Sequence, residues 1–203
     1  MTETIERPDV EQLKQALAER GVAMEYVAAA PDALSRLKEL VPMGTEVQTG
    51  SSTTLDQIGF TKWLTEMHQE GNLVYHRAQT RGQGGPLARA ASRRQSTLAP
   101  YFLGSVNGLA MTGEAVVTDN DGNRIGGYVY GAANVIWVVG VNKLVPTLED
   151  AIRRTWDFVA PQENARTQRT YGFNSVLGKT MIFHREVTPN RIRLLLVGES
   201  LGF

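Results

Sequence analysis

The chain contains no cysteine. Disulfides, thiolate nucleophiles and cysteine-ligated iron–sulfur clusters are therefore excluded within it. It has no excess of either charge: lysine plus arginine and aspartate plus glutamate each number 21, so the formal net charge is zero. That balance gives no electrostatic footprint for nucleic acid or for an anionic membrane. Long apolar runs are also missing. Residues 135–139 and 194–197 are the longest, and they are strand-sized, too short to span a bilayer. The first nine residues are polar and acidic, without the apolar stretch of a signal peptide. His68, His76 and His184 are the only histidines and show no ligand spacing, so no metal site is expected. No Gly-x-Ser-x-Gly pattern supports a hydrolase. Together these absences point to a cytoplasmic protein that binds neither nucleic acid nor membrane.

What remains is an ordinary globular composition, with 42% hydrophobic residues in 203, enough for one domain spanning residues 1–203. Pro8 and Asp9 open a helix with Val10, Leu13 and Leu17 on one face, and Gly21 is placed to end it. Residues 22–28 read as a strand. Pro31 and Asp32 open a second helix, carrying Ala33, Leu37 and Leu40, which Pro42 and Gly44 break. A short strand at 46–49 runs into a Gly-Ser-Ser loop, followed by helical patterns to Met67. Residues 79–85 form a polar, glycine-rich loop. Residues 86–95 read as a helix whose basic flank, Arg89, Arg93 and Arg94, is expected to be solvated. Segments 109–117 and 124–130 flank an Asp-Gly turn at 118–123 and predict a hairpin. Residues 135–140 are the clearest buried strand. Thr147 then caps a helix using Leu148, Ile152, Trp156 and Val159. Residues 160–178 are polar and aperiodic and read as a loop, and 180–187 with 192–197 predict a final hairpin. Strands alternating with helices predict a three-layer, Rossmann-like α/β fold, with a mostly parallel sheet and antiparallel hairpin additions.

Three segments could carry chemistry. In the first, a strand turns into a helix through Thr49, Gly50, Ser51, Ser52, Thr53 and Thr54. Free N–H groups and the helix dipole favour an anion there, and hydroxyls add donors without charge. The plainer alternative is an ordinary N-cap, for which one hydroxyl suffices. The loop lacks the Gly-Lys-Ser/Thr ending of a P-loop. The second segment, residues 105–131, gathers Asn107, Thr112, Glu114, Asp119, Asp121 and Arg124. Glu114 could serve as a base or nucleophile if it faces a cleft, or be merely solvated. The aspartates read as turn formers. In the third segment, Gly140, Asn142 and Lys143 follow the best strand directly. Ligands collect at the carboxyl ends of strands in open α/β sheets, so Lys143 could pair with an anion held by the Thr49 loop rather than be a surface lysine.

At these segments the chain resembles the LUD-domain family of lactate-utilisation proteins. The resemblance is carried by GSSTTLDQIG (50–59), NGLAMTGEAVVTDNDGNRIGGYVYG (107–131), VIWVVGVNKLVPTLEDAIRR (135–154) and VGESLGF (197–203). It implies a fold similar to ribose-phosphate isomerase and CoA transferase. Some members of that superfamily hold a sugar phosphate on a Thr-Gly-Ser-Thr loop, here Thr49 to Thr53, whereas the CoA transferases use a glutamate nucleophile. It further implies a role in oxidising L-lactate to pyruvate, beside partner proteins that carry iron–sulfur clusters. Many small relatives have a cysteine-rich stretch where this chain has residues 171–178 without cysteine, so no cofactor is expected within the chain itself. The reading is thus of a component in an assembly, homo-oligomeric or with such partners, that binds an anionic small molecule. Whether a nucleotide or CoA is that molecule stays open. The alternatives are a stand-alone isomerase or transferase using Glu114, which requires Glu114 in the same cleft as Ser51, and a non-catalytic regulatory or interaction module.

Overall fold

A computed structural model describes residues 8–79 and 86–203; residues 80–85, within the segment expected from sequence to be a glycine-rich loop, and the first seven residues lie outside the described residues. Asp9 opens α1 (Val10–Glu19) by accepting the Gln12 N–H at 2.9 Å, and Leu13 and Leu17 turn to the core. Gly21, at φ +76°, ends it ahead of β1 (Ala23–Val27). α2 (Ala30–Leu40), with Pro31 in its first turn, leads to β2 (Glu46–Thr49). The chain continues through α3 (Thr53–Gln57), α4 (Phe60–Gln69), β3 (Val74–Tyr75), α5 (His76–Gln79), α6 (Pro86–Ser96) and β4 (Tyr101–Gly104). β5 (Gly108–Ala110), β6 (Ala115–Asp119), α7 (Asn123–Gly126) and a π-helical turn at Gly127–Gly131 precede the central strand β7 (Asn134–Gly140). After a 3-10 turn at Val141–Lys143 come β8 (Leu144–Val145), α8 (Leu148–Arg154), a second π turn at Thr155–Val159, α9 (Ala160–Tyr171), β9 (Lys179–Phe183) and β10 (Ile192–Val197).

One sheet has six strands in the order β1-β10-β7-β4-β2-β3, all neighbours parallel. Successive residues of β7 feed opposite cores. Val135, Trp137 and Val139 pack with Leu13 and Leu17 of α1, whereas Ile136 and Val138 pack with Leu37, Leu55 and Leu64 of α2, α3 and α4. Burial on both faces is why this strand reads as an unbroken apolar run. α2, α3 and α4 cover one face. The other is covered by α1 and a second sheet, ordered β8-β5-β6-β9, whose far side meets α8 through Ala151. The result is the expected Rossmann-like α/β architecture in layers. Among the described residues no helix is long and apolar enough to cross a membrane.

The structure departs from the sequence expectations at three places. The Asp-Gly turn does not make a hairpin. β6 instead pairs antiparallel with β5, round a turn containing Gly113 at φ +94°, while Gly122 at φ +92° leads into α7. Asp119 accepts the Arg124 N–H at 2.8 Å and so holds the helix start, and residues 124–130 are helical. The last two strands do not pair with each other. β9 joins β6 in the small sheet, and β10, apolar and buried except at Arg193, inserts between β1 and β7. Finally, residues 160–171 are helix, not loop. Pro161 follows the π turn, where the hydrogen-bond register is already shifted, so it does not stop the helix. The same turn rotates the helix phase. Thr155 and Val159 become buried, and Trp156, expected on the apolar face, is 56% exposed.

Gly104 ends β4 where Tyr128 crosses beneath it, held between the rings of Phe102 and Trp137 at centroid distances of 5.4 and 5.9 Å. A Cβ on Gly104 would stand 2.0 Å from the Tyr128 hydroxyl, and Tyr128 is fully buried. Gly104→Ala is therefore expected to destabilise the fold by about 1–3 kcal/mol, read as a lowered urea midpoint. An unchanged midpoint would show that Tyr128 is free to move.

Candidate functional site

β2, β4 and β7 are neighbours in the sheet, so their carboxyl-terminal loops meet. Each loop places one polar side chain at the same point. Thr54 comes from the β2 loop, Ser105 from the residue after β4, and Lys143 from the 3-10 turn after β7. The Lys143 ammonium nitrogen donates to Ser105 Oγ at 2.9 Å and to Thr54 Oγ1 at 3.1 Å. Lys143 is only 3% exposed. The expectation of a lysine facing the Thr49 loop therefore agrees with the geometry, and the side chain is a buried one.

Above these residues lies a cavity of about 550 Å³. Its floor includes Gly50 to Thr54, Ser105, Asn107 and Lys143. One wall includes Arg124 with Asp119 and Asp121, and the opposite wall is α9 and the segment after it, including Arg166, Tyr171 and Phe173. Arg124 reaches the floor because Gly50 has no side chain: a Cβ there would be 3.0 Å from Arg124 Cδ. Gly50 does not have a positive φ, so close approach is what glycine supplies at this position. The Arg124 guanidinium donates to the Thr118 carbonyl. Arg154, 3% exposed, donates to the carbonyls of Asn107 and Asn142 behind the floor.

Positive charge here is not matched by negative charge. Asp121 pairs with Arg93 at 3.0 Å, Glu163 with Arg166 at 2.6 Å, and Asp119 is taken up by the α7 start. Lys143, Arg124 and Arg154 form no ion pair among the described residues. Burial, reinforced by the nearby charges of Arg154 and Arg124, pushes the Lys143 amine well below the ordinary lysine range. Burial also pushes Arg154 down to about 10. An anion entering the cavity would relieve both effects. Gln48, 5% exposed on the floor, donates its amide to Ser96 Oγ at 2.9 Å, while its Oε1 has no partner among the described residues.

The hydroxyls of the β2 loop divide their roles. Ser52 is the N-cap, accepting the Leu55 N–H at 3.3 Å, and Thr49 bonds the Tyr75 hydroxyl at 2.7 Å. Thr54 serves Lys143, and the exposed Ser51 and half-buried Thr53 line the cavity. The helix they open, α3, has only five residues, so the anion-favouring character of this floor comes from its cations rather than from a helix dipole. Asn107 lines the cavity while its Oδ1 accepts the Thr118 N–H at 2.7 Å. Asn142 has another task. Its amide holds the chain end, accepting the Leu201 N–H at 3.0 Å and donating to the Gly202 carbonyl at 3.2 Å.

Glu114 is not in this cavity. It sits in the β5–β6 turn, where it accepts from Arg20 at 2.5 Å and from the Thr112 hydroxyl at 2.5 Å, tying the turn to α1. The requirement that it share a cleft with Ser51 is not met. Sequence reasoning also missed Arg154, Ser105 and Gln48, and gave Arg124 no role. Of the basic flank, Arg93 reaches the cavity rim through Asp121, Arg94 is exposed, and the Arg89 side chain lies outside the described residues.

Comparison with known proteins agrees with this fold. The sequence model of the LUD domain family matches residues 10–197. No curated protein matches the chain at a significant level. Among solved structures, a DUF162 family protein from Deinococcus radiodurans is similar in fold, with a TM-score of 0.53 and 14% identity over 93% of this chain and 96% of that one.

Removing the Glu114 charge tests its placement. Glu114→Gln is expected to cost about 1–2 kcal/mol of stability through the half-exposed Arg20 pair while leaving ligand binding in the cavity unchanged. A stable variant that loses binding would return Glu114 to the site.

Proposed function

The chain belongs to the LUD-domain family, and from that premise we propose that it binds a carboxylate- or phosphate-bearing small molecule in the cavity over β2, β4 and β7. One observation carries the reading: Lys143 and Arg124 reach this cavity, backed by Arg154, without an ion pair to any described residue. Buried cations without a counter-charge are costly, and a bound anion is the simplest compensation. The cavity volume suits a small organic acid with room for a sugar phosphate or nucleotide. In the cell the proposed role is that of a cytoplasmic component of L-lactate utilisation, working beside iron–sulfur partner proteins that carry the electron transfer. The absence of cysteine is consistent with such a division of labour.

Calorimetry with L-lactate, pyruvate, inorganic phosphate, ribose 5-phosphate, AMP and CoA tests the binding. At least one is expected to bind, and Arg124→Gln is expected to weaken it by about tenfold or more, equivalent to about 1.4 kcal/mol. Growth on L-lactate is expected to need the chain and to fail with Arg124→Gln. Binding by none of the six, or affinity indifferent to Arg124, would contradict the proposal.

A further inference from the structure

Lys143 differs from Lys14, Lys38, Lys62 and Lys179 in being buried at the floor of a cavity with its nitrogen fixed in place. The fixing leaves one direction free. Ser105 Oγ directs its proton to the Val106 carbonyl at 3.4 Å, and Thr54 Oγ1 directs its own to the Leu201 carbonyl at 3.4 Å. Both hydroxyls therefore accept from the Lys143 nitrogen, which uses two of its N–H bonds on them. In the neutral amine the remaining tetrahedral position is the lone pair. No described carboxylate touches the amine to hold it protonated, and the guanidinium groups of Arg154 and Arg124 oppose its charge. A desolvated lysine beside other cations is the arrangement that keeps an amine nucleophilic near neutral pH.

We propose that the Lys143 amine is a nucleophile that condenses with the carbonyl group of an anionic small molecule held in this cavity, forming a protonated imine. The inference rests on the anion-binding reading for the charge of the ligand and goes beyond it by assigning covalent chemistry. The nitrogen lone pair forms a bond to the carbonyl carbon, and the carbonyl π electrons move to oxygen. That oxygen takes up a proton as the nitrogen loses one, giving a carbinolamine. A further proton lets the hydroxyl leave as water while the nitrogen lone pair closes the C=N bond. Nothing is oxidised or reduced, and one water is released. The Thr54 and Ser105 hydroxyls, within 3.1 Å of the nitrogen, stand where protons must pass between nitrogen and oxygen. Arg124 would take the ligand's negative charge, which leaves the carbonyl for the amine.

The test uses the full chain with two probes at neutral pH, pyruvate for a carboxylate and pyridoxal 5′-phosphate for a phosphate, each followed by borohydride reduction and peptide mass mapping. The expected result is a reduced adduct on Lys143 with at least one probe, formed ahead of adducts on the other four lysines and suppressed by excess inorganic phosphate. Whichever probe reacts identifies the acidic group. Calorimetry on the same samples separates the two claims. If a probe binds in the cavity and Lys143 stays unmodified, the covalent role is overturned and the anion site stands. If neither probe binds and Lys143 stays unmodified, the covalent role is overturned, and the anion site stands or falls on the six ligands named above.

Discussion

An amine removed from water and given hydroxyls in place of a carboxylate is an expensive group to bury, and the fold holds Lys143 in that condition through several independent elements. The parallel order β7-β4-β2 brings three loop residues together from 54, 105 and 143. Gly50 leaves room for Arg124, Tyr128 fills the space under Gly104, and Arg154 closes the floor by bonding two backbone carbonyls. Asn142 and Gln57 fasten the chain end beside the same amine, the latter accepting the Gly202 N–H at 2.6 Å. None of these contacts supplies a negative charge. The structure is built around a positive site that folding alone does not neutralise.

The two faces of the cavity have different chemistry. The floor and the Arg124 wall are polar and cationic. Besides Arg166, the π turn, α9 and the segment after it bring Val159, Tyr171, Phe173, Val176 and Leu177 to the opposite side, with Tyr171 and Phe173 stacked at 5.7 Å. A ligand that fits both carries its acidic group at one end and apolar or planar surface at the other. The π turn at Thr155–Val159 makes this wall possible, because it sets the phase that buries Arg154 on one side of the turn and points Val159 into the cavity on the other.

The parts of this site written locally in the chain were legible in the sequence. Thr49 to Thr54 stood out because glycine followed by four hydroxyls at a helix start is more than one N-cap requires. Lys143 stood out because it follows the most apolar strand, and strand ends gather ligands. Arg124 was passed over, since an Asp-Gly turn looks the same whether a strand or a helix follows it; only the burial of Tyr128 decides for the helix. α9 was hidden by a polar segment without an apolar period, because it buries little beyond Thr167 and follows a π turn that shifts the helix phase. The partners of β9 and β10 are fixed by long-range burial, so two strands adjacent in sequence went to different sheets. Glu114 looked eligible because residue type alone does not say at which end of a sheet a turn will lie, and Arg20, its partner, is 94 residues away.

Lys143 is a buried amine without a counter-charge among the described residues, and its titration measures this directly. NMR spectra of the chain with lysine side chains isotopically labelled, assigned with Lys143→Arg and followed against pH, resolve Lys143 from Lys14, Lys38, Lys62 and Lys179. Lys143 is expected to lose its proton well below the ordinary lysine range, and a bound anion to shift this titration upward. A Lys143 that titrates with the other four, indifferent to added anion, would contradict it.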